Sequence, residues 1–369
     1  MTSATGRHLV DHHCHGVVLR DLDRTEFERL LNESGGPSPL GTSLFDSMIG
    51  LAVRRWCAPV LDLDPLVTAD DYLARRRDLG FTEVAGRFLR ESGTECFLVD
   101  TGYSPDAISG SAELARLAGG RAHEIIRLEG LVEDLLVAGV GAHELPERVA
   151  RALEETTAVG AKSIAAYRTG LELPTAEPDA GDVARALDEC EPTSAGAYRV
   201  AHPVVTGWLA WAAINAGLPL QLHVGYGDKD ANLREGDPLL LTRFLRATEE
   251  HGVPVLLLHN YPFHRNAGYL AQVFDHVFMD VGLATHNTGA LSAAVIRESL
   301  ELTPFAKLLY SSDAFGLPEL YHLAALLFTR GLTTLLDTLV DRGEAAPADA
   351  DRISALILRE NAQRVYSKI

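Results

Sequence analysis

The sequence predicts an α/β fold, a (β/α)8 TIM barrel with a helical insertion after strand 1 and a smaller insertion after strand 4. Three observations point there. Eight short apolar runs alternate with helical stretches along the 369 residues, and eight such units most simply close into a barrel. Most runs are near-continuously apolar rather than alternating, as strands of a helix-covered parallel sheet require. No glycine-rich phosphate turn follows the first run, which argues against an open doubly wound sheet.

The first strand begins at the apolar pair Leu9 and Val10 and stops at Gly16. Residues 19–90 hold no second strand; 25–31, 43–56 and 68–90 have helical character, joined by Gly/Pro/Ser at 35–39 and by Asp and Pro at 62–65. The segment 17–90 therefore reads as an insertion covering one end of the domain. Then strand 95–100, helix 105–118, strand 124–129, a helical stretch 132–159 broken near 139–141, and strand 161–167 follow in turn. A second insertion, 170–204, is rich in Pro, Asp and Glu and precedes an Ala/Trp-rich helix near 207–216. Strands 218–224, 254–259, 277–281 and 307–312 alternate with helices, and helices 319–339 and 349–366 close the chain. The expected organisation is a single barrel domain, 1–369.

With 47% hydrophobic residues the chain can bury a large core, and its net charge of −18 argues against nucleic acid, whose phosphates it would repel. The four cysteines, Cys14, Cys57, Cys96 and Cys190, form no CxxC pair, so a disulfide framework is not expected. Residues 1–6 are polar with no hydrophobic leader, and no apolar run reaches 18 residues. The expectation is a soluble, cytoplasmic protein that meets a small-molecule substrate rather than nucleic acid or membrane, with homo-oligomers open.

In a barrel, reactive groups sit at the C-terminal ends of strands. Reading strand by strand gives His13 and His15, Lys162, His223, His259 and Asp313. So many polar groups in apolar strands would be costly to bury without partners, and one divalent metal faced by all of them removes the difficulty. Lys162 stands apart. A protonated lysine beside a metal would be repelled, whereas a neutral amine can take up carbon dioxide as an anionic carbamate. The chain has only four lysines, so one inside an Ala/Ile strand suggests a specific need; the plainer alternative is a lysine snorkelling to solvent at the barrel's bottom.

The set His-x-His, strand-four Lys, strand-five His, strand-six His and strand-eight Asp resembles the amidohydrolase superfamily. The stretches 161–171, 220–228, 257–263, 279–284 and 310–314 are similar to its amidohydrolase 2 branch. In particular they resemble the amidohydrolase half of nodulin-like proteins fused to a type I glutamine synthetase. The segment 162–167 is also similar to the strand that carries a carbamylated lysine in hydantoinase-like members, where a tyrosine five residues on helps bind the oxyanion. Two features depart from hydantoinases: His13 lies too near the start to leave room for their β-sandwich, and 17–90 makes a different lid. Their substrates are therefore not carried over.

The resemblance implies a divalent metal, zinc above all with manganese as an option, as one ion or two. In the two-ion arrangement His13, His15, Asp313 and carbamylated Lys162 hold one ion, and Lys162, His223 and His259 the other. With Lys162 unmodified, His13, His15, His223 and Asp313 hold one ion and His259 is left for substrate. The implied activity is hydrolysis of an amide-type, non-peptide C–N bond through a metal-activated hydroxide, with Asp313 carrying the proton and Tyr167, His259 or His286 stabilising the oxyanion. Arg168 follows Lys162 by six residues, so on a continuing strand it shares the lysine's face and can grip a substrate carboxylate; pairing with Glu172 or Asp228 is the alternative. Tyr226, Asp228 and Asn260 are expected in the substrate pocket, Glu129 and Thr101 at its edge. Non-oxidative decarboxylation with one metal is the runner-up, and a non-catalytic scaffold the third reading.

Overall fold

The computed structural model describes residues 8–36, 40–102 and 108–369. Seven parallel strands pair in sequence order: β1 (Leu9–Cys14), β2 (Thr94–Asp100), β3 (Arg121–Arg127), β4 (Gly160–Ser163), β5 (Leu220–Val224), β6 (Val255–His259) and β7 (Val277–Met279). Parallel neighbours need a crossover, and helices supply it, so the strands are covered and must be apolar along their length. β5 and β6 are buried at every residue.

The eighth predicted strand, 307–312, closes the ring without forming a regular ladder. It meets β7 through Leu309 N–H to Met279 O (2.9 Å) and β1 through His12 N–H to Tyr310 O (3.2 Å). Further along, the Asp11 carboxylate accepts both the Ser312 amide (2.9 Å) and its hydroxyl (2.5 Å). A side chain there satisfies the backbone group that a neighbouring strand would otherwise bond.

Strand four is shorter than the sequence suggests. β4 ends at Ser163, and Ala165–Arg168 is a helical turn. The cause is Glu129, whose carboxylate accepts the Ser163 hydroxyl (2.7 Å) and the Ile164 amide (3.0 Å), drawing the chain out of the strand. Glu129 itself lies in the helix Leu128–Val137, beyond the end of β3 at Arg127. It is a buried clamp on β4 rather than a pocket residue. Thr101 likewise spends its hydroxyl on Glu124 (2.6 Å).

The stretch 17–90 folds as helices Arg24–Arg29, Met48–Ala52 (continued by turns to Leu61), Ala69–Leu79 and Phe81–Glu91, the last two separated at Gly80 with φ +75°. Asp23 and Thr68 cap two of them by accepting backbone amides. Phe27, Phe45, Tyr72 and Phe88 form a second core with Leu320, Tyr321 and Leu327 of the helix Pro318–Asp341. Buried Glu319 pins the two together, accepting the Tyr72 hydroxyl (3.0 Å) and Arg76 Nε (2.8 Å). By length and composition alone Pro318–Asp341 could cross a bilayer, yet half of its most apolar window is buried against the rest of the chain.

The predicted helix 105–118 is seen as Ser111–Ala118, its start at 105–107 lying outside the described residues, as do 37–39 of the first linker. The second insertion contains the helix Ala180–Asp188. At the chain's last turns, Ala362, Val365 and Tyr366 pack on Val10, Cys96, Leu98, Leu256 and Leu258, an apolar plug inside the barrel.

Candidate metal centre and substrate cavity

A cavity of about 430 Å³ is lined by His13, His15, Lys162, His223, His259 and Asp313, together with Tyr167, Arg168, Asp228 and His286. Six residues from five separate segments of the chain thus converge on one space. Asp313 is the hub. Its Oδ1 lies 3.2 Å from His13 Nε2 and 3.4 Å from His15 Nε2, and its Oδ2 lies 3.3 Å from His259 Nδ1. Lys162 Nζ sits 3.4 Å from His13 Nε2.

The backbone is bent to make this convergence. His259 (φ 68°), Asn260 (φ 59°), Leu283 (φ 53°) and Asp313 (φ 49°) all adopt left-handed conformations that side chains other than glycine rarely tolerate. Asp280 holds the first of these bends by accepting the His259 amide (2.8 Å) and the Gly282 amide (2.9 Å). Asn260 does the same work and is therefore not the substrate contact expected from sequence. Its Nδ2 donates to Leu257 O (2.5 Å) and Asp280 O (3.0 Å), and it does not reach the cavity. Gly227 is required for a different reason: a Cβ there would fall 1.8 Å from the Tyr167 hydroxyl and 3.1 Å from His223 Nε2.

Burial sets the electrostatics. It lowers the His13 pKa to about 4, with Lys162 adding repulsion, and holds His223 and His259 well below the ordinary histidine value. Burial alone would raise Asp313, but the neighbouring His259, His13 and His15 outweigh it and hold the carboxyl well below its ordinary value, ionised. Lys162 is 2% exposed, and burial brings its amine from 10.5 to about 8. A snorkelling lysine at the barrel's bottom is thereby excluded.

The residues fit a divalent metal. His13 Nδ1 bonds Gln221 Oε1 (2.7 Å) and His15 Nδ1 bonds Asp100 O (3.1 Å), so each ring carries its proton on Nδ1 and turns a bare Nε2 to the cavity. His223 Nε2 and His259 Nδ1 are buried and have no hydrogen-bond partner among the described residues. The ligand atoms of His13, His259 and Asp313 fall within 4.8 Å of one another. A second grouping, His13, His15 and Asp100, is less apt because Arg127 already engages the Asp100 carboxylate through Nη2 (2.5 Å) and Nε (3.1 Å).

Arg168 does reach the cavity, though from a helical turn and not from the strand face that sequence spacing suggested. Its ion-pair partner is Glu133 (3.1 Å), neither Glu172 nor Asp228, and its Nε and Nη1 are buried without a hydrogen-bond partner among the described residues. Tyr226 lies instead in an adjoining space of about 230 Å³ with Tyr261, Asn32 and Asn287. Sequence reasoning missed Arg29, Glu33, Arg127 and Arg199, all of which line the main cavity. Arg127 left a signal, being a charge within the apolar run 124–129. Glu33 left none, since nothing local marks where an insertion will fold back.

Comparison with known proteins agrees with this fold. A metal-dependent hydrolase of Lactobacillus casei, so named provisionally, superposes with a TM-score of 0.84 at 28% identity, covering 98% of this chain and 95% of that one. The uronate isomerase of Thermotoga maritima superposes at 0.61 over 97% of this chain and 94% of its own, but at 11% identity the likeness concerns the fold alone. Protein FluG of Emericella nidulans is 26% identical across 97% of this chain and 45% of its own length, so the chain spans about half of that relative. Residues 136–368, more than half of the sequence, match the amidohydrolase 2 family, and the chain belongs to that family of enzymes.

Proposed function

We propose that the chain is a metal-dependent hydrolase of an amide-type, non-peptide C–N bond in a small substrate that bears a carboxylate. One observation carries the reading: the histidine–aspartate set shares its cavity with Arg168, whose Nε and Nη1 are buried with no hydrogen-bond partner among the described residues. Unpaired buried donors are costly, and a planar carboxylate bridging Nη2 and either of these nitrogens would meet one guanidinium edge in two-pronged fashion. The chain's overall charge of −18 makes a local cation necessary if an anion is to enter.

His13, His15, Asp313 and Lys162 as its carbamate would hold one zinc ion, and Lys162, His223 and His259 a second, with manganese as the substitute. When bound, such a metal lowers the pKa of water and polarises a carbonyl oxygen. The near-neutral pKa of Lys162 supports the carbamate: a neutral amine adds to carbon dioxide, forming an N–C bond and releasing one proton. Asp313, held ionised, accepts the proton of the attacking water and returns it to the leaving nitrogen. Tyr167, whose phenol burial keeps protonated, donates to the oxyanion; His286, lowered to about 4 by burial, stands by as a neutral ring. Asp228 faces the substrate from the loop after β5.

The whole chain acts as one barrel unit in this reading, 17–90 walling the cavity through Arg29 and Glu33, and 170–204 through Arg199. The four cysteines are free, in keeping with the cytoplasm. The test is metal analysis of the purified chain, the mass of the peptide carrying Lys162, and turnover of a panel of carboxylate-bearing amides. Two metal equivalents, a carbon dioxide adduct on Lys162 and amide cleavage are expected. One equivalent, an unmodified lysine and carbon dioxide release from carboxylic acids would establish a decarboxylase instead.

A further inference from the structure

Beneath the cavity, a continuous line of buried polar groups runs from His13 to the chain's last helix. His13 Nδ1 bonds Gln221 Oε1 (2.7 Å). Gln221 Nε2 donates both of its hydrogens, to His12 O (2.8 Å) and to the Tyr366 hydroxyl oxygen (2.7 Å). Tyr366, having accepted, must donate onward, and His12 Nδ1 lies 3.2 Å away. His12 therefore carries its own proton on Nε2, which sits 2.9 Å from Asp280 Oδ2 in a close but poorly aligned contact. The other oxygen of Asp280 accepts the His259 amide (2.8 Å). Except for the His12–Asp280 contact every bond is geometrically sound, and His12, His13, Gln221 and Asp280 are each at most 1% exposed.

The order of donors and acceptors along this line has one consequence. An amide side chain has two ends of similar shape and opposite polarity. If Gln221 were reversed, its oxygen would face the His12 carbonyl, acceptor against acceptor, and the Tyr366 hydroxyl would have to turn its hydrogen to that oxygen and give up its donation to His12 Nδ1. Its NH2 would then face His13 Nδ1, which would have to become an acceptor, and the imidazole proton would move to Nε2. That atom is the one turned toward Asp313 and Lys162. A protonated Nε2 has no lone pair for a metal.

We propose that Tyr366 and the backbone carbonyl of His12 are the groups that fix Gln221 in one orientation, so that His13 keeps its proton on Nδ1 and a bare Nε2 for metal. Tyr366 is thus a positioning residue acting through Gln221, placed 145 residues away in sequence from the side chain it orients. The inference rests on the metal reading above.

The test uses the full chain and zinc alone. Zinc affinity is measured by competition with a chromophoric chelator, and the His13 tautomer by ring-nitrogen spectra of metal-free, histidine-labelled protein. Tyr366→Phe removes one hydroxyl and little volume; zinc should bind roughly tenfold more weakly, and Gln221→Leu should cost between about ten- and a hundredfold. Tyr310→Phe is the control, a buried tyrosine whose hydroxyl has no part in the line and whose loss should leave zinc affinity unchanged. Wild-type spectra should place the His13 proton on Nδ1, with Nε2–H appearing in Gln221→Leu. Equal zinc affinity in Tyr366→Phe and wild type, or a wild-type proton on Nε2, overturns the proposal. A wild-type chain that takes up no zinc or manganese refutes the metal reading itself, a different result from either.

Discussion

Replacing Lys162 by methionine in metal-free, carbon dioxide-free protein should make the chain more stable at neutral pH. The lysine is fully enclosed, and burial brings its amine from 10.5 to about 8. Below pH 8 the folded chain must bury the charged ammonium, whereas the unfolded chain hydrates it. Between pH 8 and 10.5 the folded lysine is neutral while the unfolded one still holds its proton, so stability rises with pH across that window. Above 10.5 both are neutral and the difference ends. At about 1.4 kcal/mol per pH unit, the gap between 10.5 and about 8 amounts to roughly 3 kcal/mol. Methionine has similar length and no charge, so Lys162→Met should be more stable than wild type by about that amount at pH 7, the two converging near pH 10.5. Urea unfolding from pH 7 to 10.5 reads this directly. Parallel stability curves across that range would show that Lys162 is not charged in an enclosed site, and the carbamate argument would lose its basis.

Three further outcomes follow from the site and its supports. His13→Ala and Asp313→Ala should each lower bound zinc in metal analysis and abolish turnover, because each removes a ligand; full activity in Asp313→Ala would refute its role as proton carrier. Arg168→Lys keeps the charge and loses the fork, so kcat/KM for a carboxylate-bearing amide should fall about tenfold, ~1.4 kcal/mol, while a neutral analogue should lose little more; equal handling of both substrates by wild type would assign Arg168 to structure alone. Glu319→Ala leaves the buried Arg76 guanidinium and Tyr72 hydroxyl unmatched and should cost about 3–5 kcal/mol, seen as a lower Tm and earlier proteolysis within 17–90.

The barrel, the family and the residues that converge on the cavity were legible in the sequence, because each rests on local pattern. Continuous apolar runs mark covered strands wherever they fall, and a histidine or aspartate at the end of such a run has one place to go. The same locality explains the errors. Strand 161–167 looked continuous because nothing within it shows that Glu129, from another element, would bend it after Ser163. Asn260 resembled a pocket residue because a polar side chain after a ligand looks alike whether it faces substrate or braces a left-handed turn. The sequence by itself determined which residue types could meet around a metal. Only tertiary structure decided the rest: which arginines reach the cavity, that Glu33 folds back to its wall, and that Tyr366 ends beside Gln221. Those contacts depend on distances between segments that share no periodicity, and packing of the whole chain is what sets them.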